Sequence, residues 1–146
     1  MKPEFKTVTY PNGQKNLETP YVNGQIHGLV TGWYENGQKS HEIPYINGQQ
    51  HGLAIWWYEN GQKMSEIHYV NGQKYGLETF WHDNGQKLYE VPYVNNQRHG
   101  LETLWHPDGS LSWIRKWHQN QLDWRSDYIS NKKFTKNYEL ELFFCL

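Results

Sequence analysis

Apolar and polar residues alternate over short stretches, as in Gly52-Leu53-Ala54-Ile55-Trp56-Trp57-Tyr58, and no stretch shows a helical period. Each stretch ends at an Asn-Gly turn signal. One set, Asn12-Gly13, Asn36-Gly37, Asn60-Gly61 and Asn84-Gly85, is spaced by 24 residues and continues at Asp108-Gly109. A second set lies between, at Asn23-Gly24, Asn47-Gly48 and Asn71-Gly72, then Asn95-Asn96. Asn-Gly between β-prone residues is the strongest short-range hairpin signal, because a two-residue type I′ turn needs positive φ at both positions. Gly13, Gly24, Gly37, Gly48, Gly61, Gly72, Gly85 and Gly109 are therefore the predicted structural turn glycines. The predicted fold is all-β: an elongated single antiparallel sheet of tandem two-stranded hairpins with a 24-residue period.

A two-residue turn at Asn36-Gly37 puts Gly28 opposite Tyr45. Its equivalents put Gly52 opposite Tyr69, Gly76 opposite Tyr93 and Gly100 opposite Trp117. In this reading each aromatic ring lies over a bare glycine backbone. Turns such as Asn47-Gly48 would then set Ile43 opposite Gly52. One face carries Leu29, Leu53, Leu77 and Leu101 with Trp33, Trp57, Trp81 and Trp105 in columns, and these rings and leucines form the expected core. The other face carries the glycine–aromatic pairs with Tyr34, Tyr58, His82 and His106. Roughly ten strands would span about 45 Å at the usual interstrand spacing. The chain divides into residues 1–124, about five hairpin repeats, and residues 125–146, a capping segment. In the cap, Asp127–Ser130 and Tyr138–Phe144 are the expected arms of a hairpin across the polar Asn131-Lys132-Lys133.

Composition narrows the function. Aliphatic residues are scarce, but 8 Trp, 11 Tyr and 5 Phe supply large apolar areas. Lys and Arg total 14 against 15 Asp and Glu, so no basic surface points to nucleic acid. Cys145 is the single cysteine, so no internal disulfide forms. No apolar run reaches the length of a membrane span, and a cytoplasmic protein is expected. The Glu18, Glu42, Glu66 and Glu90 column has members about 10 Å apart in repeat-equivalent surroundings, which suits a hydrogen-bonded ladder and not a catalytic acid–base pair. His27, His51 and His99 stand about as far apart, too far to share an ion, so no metal site and no cofactor is expected. Lys15, Lys39, Lys63 and Lys87 form a parallel basic row.

The motif Tyr-Glu-Asn-Gly-Gln-Lys, then Glu-X-Pro-Tyr-Val-Asn-Gly, then His-Gly-Leu and Trp, over residues 5–124, resembles the MORN repeat family. It is most similar to the bacterial variant found among YwqK-like antitoxin components. The resemblance implies elongated sheets of successive hairpins and a role in protein–protein scaffolding, self-association or phospholipid contact. The leading expectation is thus a non-enzymatic interaction module, an antitoxin or immunity protein being its specific form. Trp33, Trp57, Trp81, Trp105, Leu53 and Leu77 are its candidate partner-binding residues. The expected partner is another protein, with a toxin as one such partner. A homo-oligomer through the C-terminal edge is a further expectation. A membrane scaffold using the lysine row, and a carbohydrate-active protein using the aromatics, are the alternatives.

Overall fold

The computed structural model describes residues 2–129 and 132–136, with side chains as far as Ser126. It contains sixteen strand segments and, among the described residues, no helix. They are β1 (Glu4–Thr9), β2 (Lys15–Val22), β3 (Gln25–Ile26), β4 (Gly28–Trp33), β5 (Lys39–Ile46), β6 (Gln49–Gln50), β7 (Gly52–Trp57) and β8 (Lys63–Val70). The second half holds β9 (Gln73–Lys74), β10 (Gly76–Trp81), β11 (Lys87–Val94), β12 (Gln97–Arg98), β13 (Gly100–Trp105), β14 (Leu111–His118), β15 (Gln121–Ile129) and β16 (Lys132–Lys136). Every pairing is antiparallel and joins strands one or two places apart in the chain, in one open sheet ordered β1-β2-β4-β5-β7-β8-β10-β11-β13-β14-β15-β16. The two-residue segments β3, β6, β9 and β12 extend hairpins with β2, β5, β8 and β11. The expected single sheet of 24-residue hairpin repeats is therefore found. Strand β16 begins at Lys132, inside the polar stretch expected to be a turn. Cys145 and the expected arm Tyr138–Phe144 lie outside the described residues.

All eight turn glycines have positive φ, but the two turn sets differ. Asn47 and Gly48 both take positive φ, 48° and 79°, and Tyr45 pairs with Gln50 across them, which is the expected two-residue turn. At Asn36-Gly37 only the glycine does, at 83°. There Tyr34 N–H donates to Gln38 O at 2.8 Å and Gly37 N–H to Tyr34 O at 2.9 Å, so the loop has three residues and a left-handed glycine. A β-bulge then follows between Gly32 and Trp33. The longer loop removes one residue from the register and the bulge restores it, so Gly28 still meets Tyr45.

Beyond the second turn set the expected register does not hold. Glu42 pairs with Ile55 and His41 with Trp56, two residues past the expected pairing of Ile43 with Gly52. His51 N–H donates to Pro44 O at 2.9 Å, and Gly52 takes φ 112°, so the β5–β7 pairing is interrupted at His51 and Gly52, while Gly52 still pairs with Tyr69 on its other side. The glycine–aromatic pairs are found as expected, with Gly28 opposite Tyr45, Gly52 opposite Tyr69, Gly76 opposite Tyr93 and Gly100 opposite Trp117. A Cβ on Gly28, Gly52 or Gly100 would fall 3.1, 3.0 or 2.9 Å from Cγ of Pro20, Pro44 or Pro92. On the side where a side chain would point, each of these glycines is covered by a proline of the preceding strand. Gly76, next to His68 where the other repeats have proline, has nothing within 4 Å of that position.

The core lies on the opposite face from the expected one. Directly paired residues share a face, and so do alternate residues along a strand. The pairs Val30–Ile43, Ala54–Ile67, Glu78–Val91 and Glu102–Arg115 therefore form one row on the face opposite the leucines. Val30, Ala54, Ile67 and Val91 are the buried apolar side chains among the described residues. Large residues on both sides of this row, such as Tyr69 and Tyr93 on one and Trp56, Phe80 and Tyr89 on the other, leave little room for water over it. The leucines lie open instead: Leu29, Leu53, Leu77 and Leu101 are 45%, 45%, 47% and 52% exposed.

Candidate functional site

On the leucine face each repeat contributes three positions along its strands. Leu29 is paired with Pro44, Thr31 with Glu42, and Trp33 with Lys39. The same arrangement recurs at Leu53, Ile55 and Trp57 and at Leu77, Thr79 and Trp81. Alternation places Ile46, Val70 and Val94 on this face too, and all three are exposed. The result is a continuous open apolar band, with successive leucines about 10 Å apart across the strands. Contiguous apolar surface of this kind marks interaction sites. Its composition changes along the sheet, since His68 stands in the proline column and Lys116 ends it opposite Leu101.

The tryptophans border that band without dominating it. Trp33, Trp57, Trp81 and Trp105 are all half-buried. Lys15 lies 5.4 Å from the Trp33 ring centre, Lys63 5.0 Å from Trp81 and Lys87 5.8 Å from Trp105. Each of these lysines also binds the glutamate three residues on. Lys15 reaches Glu18 at 2.6 Å, Lys63 reaches Glu66 at 2.7 Å, and Lys87 reaches Glu90 at 2.5 Å, with Lys39 and Glu42 paired likewise. On a regular strand, residues three apart point to opposite faces. The bulge after each three-residue loop turns the lysine onto the glutamate's face, so the lysine and glutamate columns form one neutral ladder. The leucine face thus has no unbalanced row of positive charge among these residues.

The turn residues tie one repeat to the next. Asn36 Oδ1 accepts from Gln38 N–H at 2.9 Å within its own turn, while Asn36 Nδ2 donates to Glu59 O in the following turn at 3.0 Å. Asn60 repeats both bonds. Gln38 Oε1 would lie 2.6 Å from a Cβ on Gly61, so a side chain there would be blocked as well as strained. Tyr10, Tyr34 and Tyr58 hydroxyls donate to the carbonyls of Trp33, Trp57 and Trp81 at 2.6 to 2.7 Å. Desolvation raises the pKa of Tyr34 above the ordinary phenol value of 10.0. His82 replaces the tyrosine in the next repeat, and its Nε2 is buried with no hydrogen-bond partner. His27 and His51 accept through Nδ1 from the backbone N–H of Asn47 and Asn71, each at 3.4 Å. His27 and His51 are thus engaged in fastening turns. Among the described residues no three His, Cys, Asp or Glu side chains converge on one point.

Opposite the leucines, the buried row changes character along the sheet. Glu78 is buried, and Lys74 Nζ reaches its Oε1 at 2.6 Å. Glu102 is also buried. It accepts from the Tyr89 hydroxyl and from Trp117 Nε1 at 2.6 Å, with Arg98 and Arg115 at 3.6 and 3.8 Å. Burial, and then the hydrogen bond to Glu102, push the Tyr89 phenol well above its ordinary range. The guanidinium of Arg115 also lies over Trp113, 4.1 Å from the ring centre. Sequence reasoning passed over this cluster, although Glu78, Glu102 and Arg115 stand out as charged residues where other repeats have Ala54 and Ile67.

This hairpin geometry is the setting for comparison with known proteins. Residues 26–47, 50–71 and 74–95 each match the MORN repeat variant. Each MORN repeat variant match begins two residues after an Asn-Gly or equivalent turn and takes in one long-looped hairpin, including its bulge. The three matches cover the central repeats, where the leucine face is most regular. No curated protein matches the chain.

Proposed function

We propose that this chain is a non-enzymatic interaction module of the cytoplasm that docks a protein partner on its leucine face. The observation that carries the reading is the open apolar band of Leu29, Leu53, Leu77 and Leu101 with Ile46, Val70 and Val94. A stable interface needs a desolvated apolar centre with a polar rim. The band provides the centre, and the Lys–Glu ladder with the half-buried tryptophans provides one rim. The MORN repeat variant matches support an interaction role, and resemblance to antitoxin components makes a protein toxin the specific form of partner we propose. The neutral Lys–Glu ladder favours protein over anionic lipid, whose recognition relies on unpaired basic residues.

The test is affinity capture with wild type and a Leu53→Asp/Leu77→Asp variant that keeps its far-ultraviolet circular dichroism and melting temperature. A stoichiometric protein captured by wild type and lost from the variant is the expected result. A partner retained by the variant moves the interface off this face, and saturable binding to anionic vesicles by wild type replaces the protein reading with the lipid one.

A further inference from the structure

On the valine face a second row of side chains runs beside the buried one: Gly32, His41, Trp56, Ser65, Phe80, Tyr89, Leu104 and Trp113, each paired with the next. Two positions in it are too small to fill their space. At Gly32 the neighbouring ring fills the gap, since a Cβ there would fall 2.2 Å from His41 Cε1. At Ser65, between Trp56 and Phe80, the gap stays open. It forms a shallow cavity, open to solvent, of about 290 Å³, lined by Trp56, Met64, Ser65, Tyr69, Glu78 and Phe80. Met64 and Ser65 both face it because the bulge opposite Trp56 and Trp57 brings successive residues to one side.

We infer that this cavity receives a lysine or arginine side chain presented by a protein partner, its stem against Met64 and the rings and its cation beside the Glu78 carboxylate. Three aromatic side chains and a buried carboxylate are the surroundings that favour a cation with an apolar stem. The chain assembles such surroundings for its own cations in the two following repeats. Lys74 Nζ lies 5.0 Å from the Tyr93 ring and 2.6 Å from Glu78. Arg98 lies 5.0 Å from the Trp117 ring and 3.6 Å from Glu102. One repeat earlier the corresponding position is Gln50, whose amide turns to the Tyr45 hydroxyl at 3.5 Å. Lys74 pairs with Tyr69 across the turn, but its ammonium lies over the Tyr93 ring, so among the described residues the face of the Tyr69 ring that lines the cavity carries no cation. Lys74 engages Glu78 Oε1 and leaves the second oxygen to the incoming group. It also competes for the carboxylate, so its removal should tighten binding.

This inference shares with the preceding section only the premise of a protein partner, since it concerns the other face. The experiment follows the Trp56 indole N–H by ¹H–¹⁵N correlation, assigned with a Trp56→Phe variant. The probes are N-acetyl-arginine methylamide, N-acetyl-lysine methylamide, the uncharged N-acetyl-norleucine methylamide, and tetramethylammonium. Saturable shifts with the arginine or lysine probe, about tenfold tighter than with norleucine, are expected. Ser65→Phe should abolish them, Glu78→Gln should weaken them several-fold, and Lys74→Met should strengthen them. The opposite responses at positions 78 and 74 decide the matter even if Ser65→Phe fails to fold. Norleucine binding as tightly as the cations, or a Trp56 signal unmoved by any probe, overturns the inference. Tetramethylammonium binding tightest of all overturns the protein partner in favour of a small quaternary ammonium. Leu53→Asp/Leu77→Asp should leave the titration unchanged, which separates failure here from failure of the leucine-face reading.

Discussion

The two halves of the buried row solve one packing problem in different ways. In the first half Val30, Ile43, Ala54 and Ile67 pack a thin apolar strip that needs no polar partner. In the second half the same column holds Glu78, Val91, Glu102 and Arg115. Carboxylates there are tolerated because each has acquired a neighbour: Lys74 for Glu78, and Tyr89, Trp117, Arg98 and Arg115 for Glu102. A buried charge is costly without partners and close to neutral with them. In a repeat protein each hairpin contacts only its neighbours, so one repeat can change its core chemistry when the next supplies the complement. The burial is shared by both halves, but its chemistry belongs to each repeat.

The sharpest challenge to this comparison is a transplant. Ala54 and Gln50 correspond by 24 residues to Glu78 and Lys74. Ala54→Glu alone should lose about 4 kcal/mol in urea unfolding, since Ala54 is fully buried. Adding Gln50→Lys should restore at least about 1 kcal/mol. No restoration would mean that the Lys74 pair is not what reconciles Glu78 with burial. Next in size, Glu102→Ala should cost about 3 kcal/mol, because it strands the Tyr89 hydroxyl, the Trp117 N–H and Arg115 together. A loss below about 1 kcal/mol would show that the cluster rehydrates freely.

The smallest effect lies in the apolar half. Burial lowers the pKa of His41 below its ordinary value of 6.5. The unfolded chain then binds the proton more readily than the folded one. The stability from neutral His41 is complete above about pH 6.5 and is lost as the pH falls through that value toward the lower folded one. His41→Leu should flatten this part of the stability profile. A profile unchanged by the substitution would place no titrating burden on the Gly32–His41 contact.

Much of this was legible along the chain. The 24-residue period, the turn positions and the pairing of Gly28 with Tyr45 follow from the spacing of Asn-Gly alone. The loop type does not, because a two-residue turn and a three-residue loop followed by a bulge put Gly28 opposite the same residue. That ambiguity hid two consequences: the Lys39–Glu42 pairing on one face, and Met64 and Ser65 turning together into one cavity. The core was assigned to the wrong face because both faces carry apolar residues at alternate positions. Leu53 and Trp57 look as suited to burial as Ala54 and Trp56 until it is known which row has large side chains on both sides.

The repeat, the hairpins and the single sheet follow from local sequence, since they rest on turn chemistry and period-2 alternation within a few residues. Which face is closed, which charges are paired and where a gap remains emerge once the strands lie side by side. Those properties depend on what stands opposite each residue one strand away, and a single bulge changes that without changing the composition of either strand.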